Sequence, residues 1–148
     1  MARTARFLPD VPLPVVWSVL ADATTYAHWV VGCRYVRYVE EEWPSVGSAF
    51  HHSFGAGPAY VNDKTVVLAC EPERRLVLEA RAAPFGSARV SFLLGRGGGG
   101  THVVMDEEPL RPLALRLAAP ALVAPTVARN ALSLRRLHDV ARRRSAVL

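Results

Sequence analysis

From Arg34 to Glu108 the chain breaks into short segments of alternating apolar and polar residues, interrupted by turn-forming residues about every 8 to 14 positions. "RYVRYVEEE" gives way at "WPSVG", "SAFHHSF" at "GAGP", and "YVNDKTVVLAC" at "EPE". "RRLVLEARA" then stops at "PFG", "SARVSFLL" at "GRGGGG", and "THVVMDEEP" closes the series. No other feature restricts the fold as much. Alternation of period two marks a half-buried strand. Parallel neighbours need crossovers of a dozen or more residues, so connections this short predict six strands in an antiparallel meander.

The flanks follow different periods. "RTARFL" (3–8) reads as a first strand. "PVVWSVLAD" (14–22) opens with Pro14, suited to a first helical position, and sets Val16, Trp17 and Leu20 at helical spacing. Thr24 is placed to cap a second short helix, "TYAHWV", with Tyr26 and Trp29 on one side. After Pro109 a long helix returns, with Val123, Val127, Asn130, Leu134, Leu137 and Ala141 in one stripe. Arg129, Arg136 and Arg143 lie on another line, where water is expected. Pro125 belongs to the first turn or marks a kink, because inside the helix it deletes a hydrogen bond. The expected architecture is α+β: one strand, two short helices, six more strands and a terminal helix burying its stripe on the sheet.

Composition narrows the class. A chain of 148 residues, 51% hydrophobic and 21% charged, predicts a single globular domain over 1–148. The net charge of +5 is almost all arginine, since Lys64 is the only lysine. Arg135, Arg136, Arg142, Arg143 and Arg144 read as a solvated helix face, and no nucleic-acid motif accompanies them. Cys33 and Cys70 are too few for a disulfide framework or a zinc knuckle, and free thiols suit a reducing, cytoplasmic setting. "MARTARFLPDVPLP" has no signal-peptide core, and "PLALRLAAPALVAPTVA" (112–128) is too interrupted for a membrane span. The sequence carries no signal for oligomeric state.

Alternation also says which side chains face the helix. Phe50, His52 and Phe54 share one face of their strand, with His51 and Ser53 on the other. Leu76, Leu78 and Ala80 point inward opposite Glu79 and Arg81. Val90, Phe92 and Leu94 do the same, as do Val103, Met105 and Glu107. From the helix, Val123, Val127, Asn130 and Leu134 face the sheet. The inner surface is thus apolar, with sparse polar groups: His52, Glu107, Asn130 and Tyr60 or Asn62.

The order of elements, with "VWSVLADATTYAHWV" as its second, resembles the SRPBCC superfamily, the START or Bet v 1-like helix-grip fold. Within it the chain is most similar to the polyketide cyclase/dehydrase-like group. The resemblance rests on the Pro-led helix with Val16, Trp17 and Leu20, then Asp22 and Trp29. It continues through "SVGSAF", "CEPERRLVLEA", "GGGTHVVMDEE" and the late Leu134 and Leu137, over nearly the whole chain. It implies a curved seven-stranded antiparallel sheet wrapped around the terminal helix, with a cavity for a hydrophobic small molecule between them. It does not imply one activity, because this fold hosts many.

Other chemistries find little footing. Neighbouring strand residues point to opposite faces, so His51 and His52 cannot share a metal ion without a bulge. No HExxH, GxSxG or Gly-Lys-Ser/Thr motif occurs, and the four glycines at 97–100 read as a hairpin tip. No metal and no cofactor is expected. The leading expectation is an apolar ligand, lipid-like, aromatic or polyketide-like, bound by Phe50, His52, Phe54, Tyr60, Leu78, Phe92, Met105, Glu107, Val123, Val127 and Asn130. The alternative is a polyketide cyclase or dehydratase with His52 as catalytic general acid–base and Asn130 or Tyr60 holding an enolate oxygen. A third class is an interaction module docking through the basic terminal helix.

Overall fold

The six alternating segments become β2 (Cys33–Val39), β3 (Ala49–Ala56), β4 (Ala59–Glu71), β5 (Arg75–Arg81), β6 (Ser87–Gly97) and β7 (Gly100–Arg111). The computed structural model describes residues 1–148 and arranges these strands as an antiparallel meander. β1 (Ala2–Pro9) pairs with β7, from Ala2 opposite Glu107 to Pro9 opposite Gly100. The sheet order is therefore β1-β7-β6-β5-β4-β3-β2, seven strands in all, with β1 and β2 at the edges. The fold is the α+β helix-grip fold.

Two short helices come after β1. In α1 (Leu13–Leu20), Pro14 occupies the first turn, where a missing N–H costs nothing. Asp22, not Thr24, is the cap of the next turn: its carboxylate accepts from the Thr24 N–H at 3.1 Å and the Thr24 hydroxyl at 2.5 Å. The chain then passes through a short 3-10 segment, Ala23–Thr25, into α2 (Tyr26–Trp29). Its buried polar groups bond back onto the turn: Tyr26 Oη donates to the Leu20 carbonyl at 2.8 Å, and Trp29 Nε1 to Thr25 Oγ1 at 3.0 Å. Tyr26, Trp29, Phe50 and Phe92 form an aromatic cluster, their successive ring centroids 4.7, 4.9 and 5.7 Å apart in the pairs Tyr26–Trp29, Tyr26–Phe50 and Trp29–Phe92.

After β7 comes a separate turn of helix, α3 (Leu113–Leu117), and then α4 (Ala119–Ala146). α4 lies over β1 and touches α1 and α2. Leu134, Leu137 and Ala141 are fully buried, and each leucine contributes roughly 1.5–3 kcal/mol by leaving water. Ser133 Oγ accepts from the Val31 N–H at 3.0 Å, and Arg144 Nη2 donates to Asp22 Oδ2 at 2.9 Å. α4 starts earlier than its stripe suggests, with Pro120 in its first turn and Pro125 inside it. Pro125 is thus not in the first turn. Val123 and Val127 are only half-buried, because α4 is seated on the sheet by its C-terminal half.

Candidate functional site

Where α4 stands off from the sheet, a cavity of about 330 Å³ opens between them. Its floor comes from alternate residues of the meander. Phe50, His52 and Phe54 enter from β3, Leu78 and Ala80 from β5, Val90 and Phe92 from β6, and Met105 and Glu107 from β7. The register explains the convergence: Leu78 is opposite Val90, Val90 opposite Glu107, and Phe92 opposite Met105. Tyr26, Val30, Val31 and Cys33 close one end, beneath α2. The other end is a mouth between the β5–β6 turn, which carries Phe85 and Gly86, and Leu115 and Leu122 of α3 and α4.

Two glycines shape this space. Gly32, at φ +97°, leads into β2, and a Cβ there would stand 2.6 Å from the Phe54 ring. Gly86, at φ +121°, lets the β5–β6 turn close against the main chain at Arg111, where a Cβ would meet the carbonyl oxygen at 2.0 Å. Only glycine combines these torsions with such approaches.

His52 is the most unusual side chain in the lining. It is 3% exposed and flanked by Phe50 and Phe54, with ring centroids 5.7 and 6.1 Å away. Neither ring nitrogen has a hydrogen-bond partner in the protein. Burial pushes its pKa down, and the nearby charges of Arg37 and His51 act in the same direction. The Lys64 main chain and Asp63 oppose the shift without reversing it. His52 is therefore a neutral imidazole at neutral pH, with one donor and one acceptor left unpartnered in the cavity wall. His51 points away, its Nε2 3.4 Å from Glu40 Oε2.

The second polar group is a cluster. Glu107 takes a salt bridge from Arg129 through Oε2 and a hydrogen bond from Asn130 Nδ2 through Oε1, the latter 3.2 Å long. Asn130 is 1% exposed, and one of its amide N–H groups is given to this carboxylate. At the mouth, Arg81 donates through Nε and Nη2 to Glu79 Oε1, at 3.2 and 3.0 Å. Burial alone would raise the Glu79 pKa, but the hydrogen bonds and charge of Arg81 hold it below the usual carboxylate range.

Of the expected site residues, Phe50, His52, Phe54, Leu78, Phe92, Met105, Glu107 and Asn130 all line the cavity. Val123, Val127 and Tyr60 do not. The lining row of α4 is Leu122, Thr126, Arg129, Asn130 and Ser133, so the two valines sit one helical step, about 100°, off that row. Tyr60 lies beside the β3–β4 turn, 52% exposed, with the Arg34 guanidinium 4.9 Å from its ring centroid. Arg129 and Arg81, both expected in water, instead border the cavity. An unpaired Glu107 on an inward face was the available sign that a cation must come to meet it.

Known structures share this architecture. DynU16, a protein of the dynemicin biosynthetic locus, superposes with a TM-score of 0.65 at 20% identity, over 93% of this chain and 45% of that one. The di-domain ARO/CYC protein StfQ of the steffimycin biosynthetic pathway gives 0.74 at 15% identity, over 97% of this chain and 51% of its own. The present chain thus spans about half the length of each. Protein CV1439 from Chromobacterium violaceum, at 0.67 and 19% identity, matches over 93% and 94% of the two chains. No curated protein matches the sequence. Residues 10–121 match the family described as Activator of Hsp90 ATPase homolog 1-like protein, and the chain belongs to that family, within the SRPBCC superfamily.

Proposed function

We propose that the protein binds an apolar small molecule in the cavity between the sheet and α4. The observation that carries this reading is His52: a buried imidazole with two unpartnered nitrogens, set between Phe50 and Phe54 in a mostly apolar lining. In a structural core such a side chain costs about 1–3 kcal/mol and is normally paired. A cavity of this size with few polar anchors is also what small-molecule sites share. The test is saturable uptake of a neutral solvatochromic dye such as Nile red. The wild type should bind one equivalent, and Ala80→Trp, which fills the cavity from β5, should bind none. Absence of saturable uptake by the folded wild type, or equal uptake by Ala80→Trp, would overturn the reading.

One observation favours a second reading, a cyclase or dehydratase. Because His52 is neutral, it has a lone pair available as a base at neutral pH. It would take a proton from a carbon between two carbonyls of a bound poly-keto chain and return it to the departing hydroxyl. The fold shared with StfQ, a di-domain ARO/CYC protein of the steffimycin biosynthetic pathway, supports the comparison. Turnover of such substrates should fall by about 10²-fold or more in His52→Ala. Unchanged turnover would remove His52 from the chemistry.

A further inference from the structure

The charges around the cavity pair off completely. Three charged side chains reach its lining: Arg81, Glu107 and Arg129. Arg129 is bound to Glu107, and Arg81 to Glu79 outside the lining. The Asn130 amide, deep in the cavity, already gives a hydrogen bond to Glu107. No free cation remains to receive an anion. Two unsatisfied groups remain in the lining: the Ser87 hydroxyl, beside the β5–β6 turn, and His52, which offers a donor on one nitrogen and an acceptor on the other.

We infer that the cavity selects neutral, hydroxyl-bearing apolar molecules over the corresponding carboxylic acids, with the ligand hydroxyl hydrogen-bonded to His52. This rests on the binding reading above and names the ligand class within it. A hydroxyl matches the imidazole on both counts, since it donates one hydrogen bond and accepts others. A carboxylate has no such match. To be held it must lose its water, and then either pull Arg129 from Glu107 or force a proton onto a buried ring flanked by Phe50 and Phe54. The first leaves the partly buried Glu107 without its counter-ion, and the second charges an imidazole in an apolar setting. Hydroxyl recognition by an unpaired buried group is also selective against the analogue that lacks it.

The experiment is displacement of Nile red by naphthol, naphthoate and naphthalene at neutral pH, for the wild type and His52→Phe. Naphthol should displace the dye at concentrations at least about tenfold lower than either naphthoate or naphthalene. In His52→Phe the advantage of naphthol over naphthalene should vanish. Equal or better displacement by naphthoate, or retention of the naphthol advantage in the variant, would overturn the inference while leaving cavity binding intact. Failure of the dye itself to bind would remove both. Should the variant not fold, the wild-type His52 Cε1–H resonance decides the matter. Naphthol should move it while it keeps a neutral-imidazole position, and a shift to the imidazolium position on adding naphthoate at similar concentration would overturn the inference.

Discussion

The two adjacent histidines show how far a single residue's role follows from strand geometry. Alternation alone sends His51 outward to Glu40 and His52 inward between two phenylalanines. Alternation cannot convey that His52 lacks any partner, because that depends on which polar groups the rest of the chain fails to bring near it. The same blindness hid Arg129 and Arg81: a charged side chain reads as solvent-facing until its counter-ion, Glu107 or Glu79, is placed beside it. His52 should weaken the fold it belongs to. His52→Phe is expected to raise stability by about 1 kcal/mol in urea unfolding, because it removes two unsatisfied buried nitrogens. The sign with pH comes from the lowered pKa. Below about pH 6.5 the unfolded chain takes up a proton here that the folded chain resists, so stability is full above that pH and falls as pH drops toward the lowered value. His52→Phe should flatten this acid-side slope. His138, whose pKa is lowered by burial and by Arg6 and Arg142, adds a slope of the same sign.

At the scale of elements, α4 has two halves with different work. Its C-terminal half is a structural anchor, with Leu134 and Leu137 in the core and Arg144 tied to Ser18 and Asp22. Leu134→Ala should cost about 2–5 kcal/mol in denaturant unfolding, the range for truncating a fully buried leucine. Leu122→Ala, in the cavity-lining half, should cost under about 1.5 kcal/mol, since that side chain is only partly buried and borders open space. Similar losses at both positions would contradict the division. The stripe of apolar residues predicted the anchor but not the phase of the lining. Repeats of three and four do not close on 3.6, so the row that meets the cavity drifts from Val123 and Val127 to Leu122 and Thr126. Gly32 is the second element-scale control, since it lets the α2–β2 turn pass over Phe54. Gly32→Ala meets both a positive φ and an occupied ring, and should cost about 1–3 kcal/mol by the same measurement.

For the whole molecule, the meander was legible because every turn carries Gly or Pro and its strands alternate. β1 was legible as a strand, but not its partner: nothing local in "RTARFL" says that it closes the sheet beside β7. The cavity was legible only through resemblance, because an inward apolar face looks the same whether it packs solidly or leaves a space. Its existence comes from a long helix seated at one end and lifted at the other, above a sheet whose inward face is mostly apolar. The chain offers a clean probe of that space. It has two methionines, Met1, which is 66% exposed at the terminus, and Met105, 3% exposed in the cavity wall. Carbon-13 methyl labelling of methionine therefore yields one signal inside the site and one outside it. On titration with naphthol, the Met105 methyl resonance should shift saturably while the Met1 resonance stays unmoved. An unmoved Met105 resonance at ligand concentrations that quench or displace bound dye would contradict binding in this cavity.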